Sequence, residues 1–327
     1  MLRCDVCGTL NFRENNYCTH CGNRLILENI CPYCGEFNLN DATYCIKCSQ
    51  QINPVTIENF DVLFSDYNDD LLKNASVSDI QYNHLLTDIF IRLEYSEIYG
   101  ATIKDKIISL ASVFSECSTK SRGYERGFNF YGNHIYYDDR LDESVQIATI
   151  IHELAHYLFF AIIEKLLCHI FKVNSSSTLQ SFVWFFLTRP EYRIMNEYCA
   201  HTVEGRFIPF GYQNYGSFNM LIEQDDYDRE SLEDMVIIGN TFANEIIVYL
   251  EKYIKEDLRN EIKLQYKKDL ISPHFESIVK ETDVSIEMGI KNYLIIGLLY
   301  DIFTLSKDSD DVRRELENIK EGIESQM

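Results

Sequence analysis

The sequence predicts a mainly α-helical chain with a small β-sheet, preceded by a pair of small metal-held modules. Three observations carry that prediction. Eight of the eleven cysteines fall in four C-x-x-C pairs within the first 48 residues. An apolar run from Val145 to Leu166 contains neither Gly nor Pro. Two aromatic runs flank Gly132-Asn133 shortly before it. At 327 residues the chain is long enough for a sizeable core and more than one domain.

The cysteines form an internal repeat of period 27. Cys4-Asp5-Val6-Cys7-Gly8 aligns with Cys31-Pro32-Tyr33-Cys34-Gly35, Tyr17-Cys18-Thr19-His20-Cys21 aligns with Tyr44-Cys45-Ile46-Lys47-Cys48, and Asn11 aligns with Asn38. Four thiolates at about 2.3 Å satisfy a tetrahedral zinc ion, and two short knuckles on facing turns deliver them. The expected sets are Cys4, Cys7, Cys18 and Cys21, then Cys31, Cys34, Cys45 and Cys48, because each repeat unit then closes on itself. Cys18 and Cys21 lie almost as near Cys31 and Cys34 in sequence, so the other pairing stays open. Residues 1–52 thus resemble a tandem zinc ribbon whose two structural zinc ions supply most of its folding energy. All-thiolate sites are closed to water, which excludes catalysis there, and His20 inside a knuckle is not expected to ligate. The ribbons suit a protein partner.

Composition narrows the remaining choices. A formal charge of −21 argues against nucleic-acid or anionic-membrane partners, which need clustered Lys and Arg. No secretory signal opens the chain, and thiol-rich metal modules suit a reducing compartment, so a cytoplasmic location is expected. Charged residues interrupt the apolar stretches before they reach the 18 to 20 or so residues of a membrane span. Cys117, Cys168 and Cys199 read as small buried hydrophobes.

Gln50 to Pro54 reads as a polar exit from the ribbons. Residues 53–120 follow as a helical lead-in packed on the next domain. Ser78-Asp79-Ile80-Gln81 has the form of a capping box, and the helix it opens puts Tyr82, Leu85, Leu86, Ile89, Phe90 and Leu93 on one face. A second helix is expected over residues 102–116. Gly127 to Tyr131 and His134 to Tyr137 suit a two-residue hairpin at Gly132-Asn133, with His134 a surface residue. Asp142 is placed to cap the apolar helix that follows. A Ser-rich connection over residues 173–178 leads to the aromatic cluster Phe182 to Leu187, read as core, and Arg189-Pro190 starts the next helix.

The apolar helix carries His152-Glu153-Leu154-Ala155-His156. Histidines four residues apart share one helix face, so both rings can take one zinc ion, and Glu153 lies beside them, about 100° round the helix. This is the H-E-x-x-H pattern of metallopeptidases. A catalytic zinc needs a third protein ligand and an open position. Phe159 and Ile162 stand where a metzincin would have Gly and His, which excludes that class. Glu197-Tyr198-Cys199-Ala200-His201 resembles the E-x-x-A segment of gluzincins. The resemblance implies Glu197 as third ligand, with His201 beside it as ligand or oxyanion donor, and it leaves Glu204, Glu164 and His169 as competitors. Residues 128–209 resemble more distantly the ImmA/IrrE-type bacterial metallopeptidases, departing from them at His201, Val203 and Glu204.

Residues 121–212 are therefore expected to form a zincin-like α+β catalytic domain. In it one catalytic zinc is held by His152, His156 and Glu197, with Glu153 as general base and His201 assisting. A substrate peptide would lie along Ile135 to Tyr137. Residues 213–327 read as helical, with stripes from Leu232 to Ile254 and from Ile290 to Ile302, and a charged, frayed end beyond Lys307. The expected activity is zinc-dependent hydrolysis of a protein or peptide. The rival expectation is a ribbon-bearing binding or scaffold protein whose metallopeptidase-like domain is latent or inactive.

Overall fold

The structure is a computed structural model. It describes residues 2–3, 9–11, 19–21, 29–30, 34–38, 45–48, 55–75, 82–94, 96–119, 127–130, 134–210, 212, 215–224, 228–269 and 291–326. In chain order the first elements are β1 (Leu2–Arg3), β2 (Leu10–Asn11), β3 (Asn29–Ile30), β4 (Phe37–Asn38), β5 (Val55–Thr56), α1 (Phe60–Leu63), α2 (Asp66–Lys73), α3 (Tyr82–Glu94), α4 (Ile103–Ala111), β6 (Glu116–Thr119), β7 (Gly127–Phe130) and β8 (His134–Tyr137). Then come α5 (Glu143–Phe171), β9 (Val173–Asn174), α6 (Ser177–Thr188), α7 (Pro190–Phe207), α8 (Gly216–Gln224), α9 (Arg229–Leu250), α10 (Glu256–Asp269), α11 (Lys291–Asp308) and α12 (Asp310–Glu324). The chain is mainly helical with a small sheet. It divides into one compact unit of Met1–Ile57 with Lys172–Asn174, and a second of Glu58–Phe171 with Ser175–Met327.

The first unit holds two antiparallel two-residue ladders and a parallel pairing of β5 with β9. Leu2 pairs with Asn11 and Arg3 with Leu10; Asn29 pairs with Asn38 and Ile30 with Phe37, so the second register repeats the first 27 residues later. Gly35 has a φ of 70°, a left-handed turn that spares any Cβ penalty. Cys4, Cys7, Cys18, Cys31 and the exit at Gln50 to Pro54 lie outside the described residues.

The second unit is organised round α5, 29 residues long, with 21 of them buried. Helices α3, α4, α6, α7, α9 and α10 all pack against it. Its first turn is capped from far along the chain. The Asp142 carbonyl accepts from Gln146, while Ser144 N donates to Asp269 Oδ2 at 3.1 Å. By length and composition α5 could cross a membrane, contrary to the sequence expectation; its apolarity is accounted for by its place inside the helical core. Phe182, Phe64 and Phe303 meet ring to ring at 5.1 to 6.0 Å, so the aromatic cluster is core.

Several local expectations need correction. Thr102 and Asp105 form a capping box that starts α4, but the helix stops at Ala111, and Glu116–Thr119 becomes β6 by pairing in parallel with β8. Local periodicity could not supply that partner. The sheet order is β6-β8-β7, so Ile135 to Tyr137 lie on the central strand, with both edges taken by neighbours. A substrate cannot add to that strand. The Ser-rich connection is shorter than expected, since Ser176 already caps α6. In α11 the buried face is Ile295, Ile296, Leu299, Ile302 and Phe303, while Tyr293 is exposed; a helix apolar nearly all round does not specify its own face. The last stretch is an ordered helix. Val312, Leu316 and Ile323 of α12 are buried, α12 packs on α6, and Arg313 pairs with Asp61 at 2.6 Å. Both Ser78–Gln81 and the Gly132-Asn133 turn lie outside the described residues.

Candidate metal centre

Helix α7 has little apolar stripe, yet Asn196, Glu197, His201 and Glu204 on it are buried. Burying such groups is costly unless they find partners. The partners are His152 and His156 on α5, and none of the six titratable residues, Glu153 included, is more than 8% exposed. A close approach of α9 backs the helix. A Cβ on Gly239 would stand 2.6 Å from the Met195 carbonyl, so Gly lets α9 seat against the turn that presents Asn196 and Glu197.

Three donor atoms converge. His152 Nε2 lies 3.1 Å from His156 Nε2, and Glu197 Oε2 lies 3.7 Å from the first and 3.9 Å from the second. A tetrahedral zinc with ligands at 2.0–2.1 Å holds its donors about 3.4 Å apart. The donor set therefore fits the ion in chemistry and in spacing. His152, Glu197 and His201 also offer one atom each within 4.8 Å of one another. His201 Nε2 stands 4.0 Å from Glu197 Oε2 and is engaged at 2.6 Å by Ser217 Oγ of α8.

The far nitrogens are held too. His152 Nδ1 lies 3.1 Å from Glu204 Oε2, His201 Nδ1 lies 3.3 Å from the same oxygen, and His156 Nδ1 lies 2.8 Å from Asn196 Oδ1. One carboxylate oxygen thus orients two imidazoles and turns both Nε2 atoms toward Glu197. Such partners fix the tautomer and ring direction of metal-binding histidines. Neither Asn196 nor Ser217 was singled out in the sequence, and Glu204 was weighed only as a competing ligand. A signal existed: residues 193, 197, 201 and 204 recur every three or four positions on one helix face. Arg193 Nη2 is 3.5 Å from Glu197 Oε1 at the half-exposed rim. Glu164 instead bonds Ser175 and Gln180.

The electrostatics at this focus concentrate positive charge on one imidazole and keep the other two neutral. Burial works against a charged His152, but hydrogen bonds to Glu197 and Glu204 outweigh it and raise the group to about 10. Burial lowers His156 to about 4. Burial would raise Glu197, yet His152 and the neighbouring imidazoles hold it well below the ordinary carboxylate range. His201 is lowered by burial and by the charge on His152. Two buried carboxylates facing imidazole nitrogens suit a divalent cation.

The first unit holds a second donor group. Cys34, Cys45 and Cys48 offer sulfurs within 4.8 Å of one another, with Cys34 and Cys45 at 3.6 Å. Tetrahedral zinc thiolates stand about 3.8 Å apart, so this spacing also fits. Desolvation opposes ionisation of Cys45, but N–H groups of Cys48 and Lys47 and the neighbouring thiols bring it down to about 6. Asn38 ties the ladder to the knuckle: its Oδ1 accepts from Ile46 N at 2.8 Å and its Nδ2 reaches Cys45 Sγ at 3.6 Å. Cys21 is exposed.

Compared with protein-family models, curated proteins and solved structures, the chain matches none.

Proposed function

We propose that the protein is a zinc-dependent metallopeptidase that hydrolyses a peptide bond of a protein or peptide substrate. The observation that carries the reading is the convergence of His152 Nε2, His156 Nε2 and Glu197 Oε2 within 3.9 Å, with Glu153 buried on the same helix. When bound, zinc supplies Lewis-acid polarisation of a carbonyl and acidification of water. Glu153 accepts the proton from the attacking water and returns it to the leaving amine. Glu204 and Asn196 keep the two ligand rings in register. His201, held between Glu204 and Ser217, would donate to the developing oxyanion only on releasing Ser217 and taking a second proton. The thiolate group of Cys34, Cys45 and Cys48, completed by Cys31, would hold a structural zinc, and the preceding repeat a second. Those ribbons would serve target recruitment, and a reducing, cytoplasmic setting suits their thiols.

The burial of all six titratable side chains favours a second reading, a latent site in a binding protein. One experiment separates the two: zinc content and cleavage of cellular proteins for the parent chain, Glu153→Gln, Glu197→Ala and His201→Ala. Glu153→Gln is expected to keep its zinc and lose about 10²- to 10⁴-fold in rate. Glu197→Ala is expected to lose both zinc and cleavage. Zinc lost from His201→Ala but kept in Glu197→Ala would reassign the third ligand. A parent chain that keeps its zinc and cleaves nothing would favour the latent reading.

A further inference from the structure

Helix α7 carries a cation where helix electrostatics disfavour one. Arg193 lies in the first turn, at the positive end of the helix dipole, and it precedes Glu197 by four residues, the weaker order for an ion pair along a helix. The acid of the same turn does not account for it. Glu191 is engaged by Arg189, with Nε to Oε2 at 3.1 Å and Nη2 to Oε1 at 2.9 Å. Arg193 reaches inward instead, its Nη2 standing 3.5 Å from Glu197 Oε1. With the arginine side chain 48% exposed, such a pair adds little to stability.

What the contact does is divide the carboxylate. Glu197 Oε2 faces three imidazoles, with the Nε2 atoms of His152, His156 and His201 at 3.7, 3.9 and 4.0 Å. Oε1 faces the guanidinium at the rim. The Glu197 side chain is only 9% exposed, so water competes weakly for either oxygen and each keeps the neighbour that packing gives it.

That division matters to an ion at this centre. A carboxylate can ligate through one oxygen or chelate through both. Two imidazoles and both oxygens make four protein donors, which closes a tetrahedral site, whereas two imidazoles and one oxygen leave a position open. A cation on Oε1 competes with the ion for that oxygen. Arginine suits the task because it stays charged at every working pH.

We propose that Arg193 is a positioning residue that restricts Glu197 to one-oxygen ligation and thereby keeps one position at the metal centre open. The inference rests on the ligand set of the hydrolytic reading, His152, His156 and Glu197. Arg193 acts through Glu197 and needs no contact with substrate.

The test is a set of crystal structures of the zinc-loaded full chain, for the parent, Arg193→Met and Arg193→Lys, with metal content measured for each. In the parent one Glu197 oxygen should lie about 2.0–2.2 Å from the ion and the other should stay with Arg193. Arg193→Met should bring both oxygens onto the ion and keep its zinc. Arg193→Lys needs only one donor to hold Oε1, so it should restore the parent arrangement. Arg193 is half-exposed, so both variants keep the fold. Cobalt(II) in place of zinc reads the same change in solution: the d–d bands should shift in Arg193→Met and return in Arg193→Lys. The thiolate group is common to all the proteins, so it cancels in difference spectra. Chelation by both oxygens in the parent, one-oxygen ligation or loss of the ion in Arg193→Met, or chelation in Arg193→Lys each overturns this proposal alone. A parent whose ion does not touch Glu197, with cobalt bands unchanged by Glu197→Ala, overturns the ligand set and the proposal together.

Discussion

Cys34, Cys45 and Cys48 sit in turns beside a ladder of two residues per strand, whereas His152, His156 and Glu197 sit in the middle of long buried helices. The sulfurs are gathered by local devices: the left-handed Gly35, the Asn38 side chain and the N–H groups of Lys47 and Cys48. The imidazoles and carboxylates are gathered by packing, with α9 behind α7 and Glu204 and Asn196 behind the rings. A module of that size, if metal-held as proposed, would depend on its ion to fold. A helical core that exists for other reasons can present ligands before any ion arrives. On the proposed reading, the contrast separates metal as scaffold from metal as guest of a scaffold.

The largest expected effect breaks the comparison outright if it fails. Exhaustive chelation of the full chain should abolish amide protection over residues 29–48 while leaving α5 and α7 protected, as read by hydrogen exchange. Equal loss in both regions would show that the helices also need the ion. Next, Glu204→Gln should weaken zinc at the His/Glu centre about 10- to 100-fold, with the thiolate group unaffected, in a competition assay against a chromophoric chelator. A drop at both sites, or at neither, would remove Glu204 as the orienting group.

Gly239→Ala probes the helix packing. The added methyl meets the Met195 carbonyl, so stability measured by urea unfolding should fall by about 1–3 kcal/mol, and the His/Glu centre should lose zinc more readily. Unchanged stability would mean that α9 yields without disturbing α7. The smallest effect belongs to Asn38→Ala. Losing its bond to Ile46 N should cost the first unit about 1 kcal/mol, seen as faster zinc loss from the thiolates alone.

Much of this molecule was legible because its determinants are local. The period of 27 reappears in the matching register of the two ladders. The H-E-x-x-H helix is present, and Glu197 lies against both its histidines. What failed depended on partners distant in sequence. β6 exists because β8 lies alongside it, and that same pairing made Ile135 to Tyr137 central rather than an edge. The face of α11 and the order of α12 were set by the helices they pack on. Glu204 is an acidic residue like many others until α7 is laid against α5, when its one oxygen meets both His152 and His201. Residue types and spacings along one helix or turn are fixed by covalent geometry, so the sequence alone determines the donors. Which donors meet, and which groups orient them, is decided by packing between helices, because burial rewards contact without recording which residues will make it.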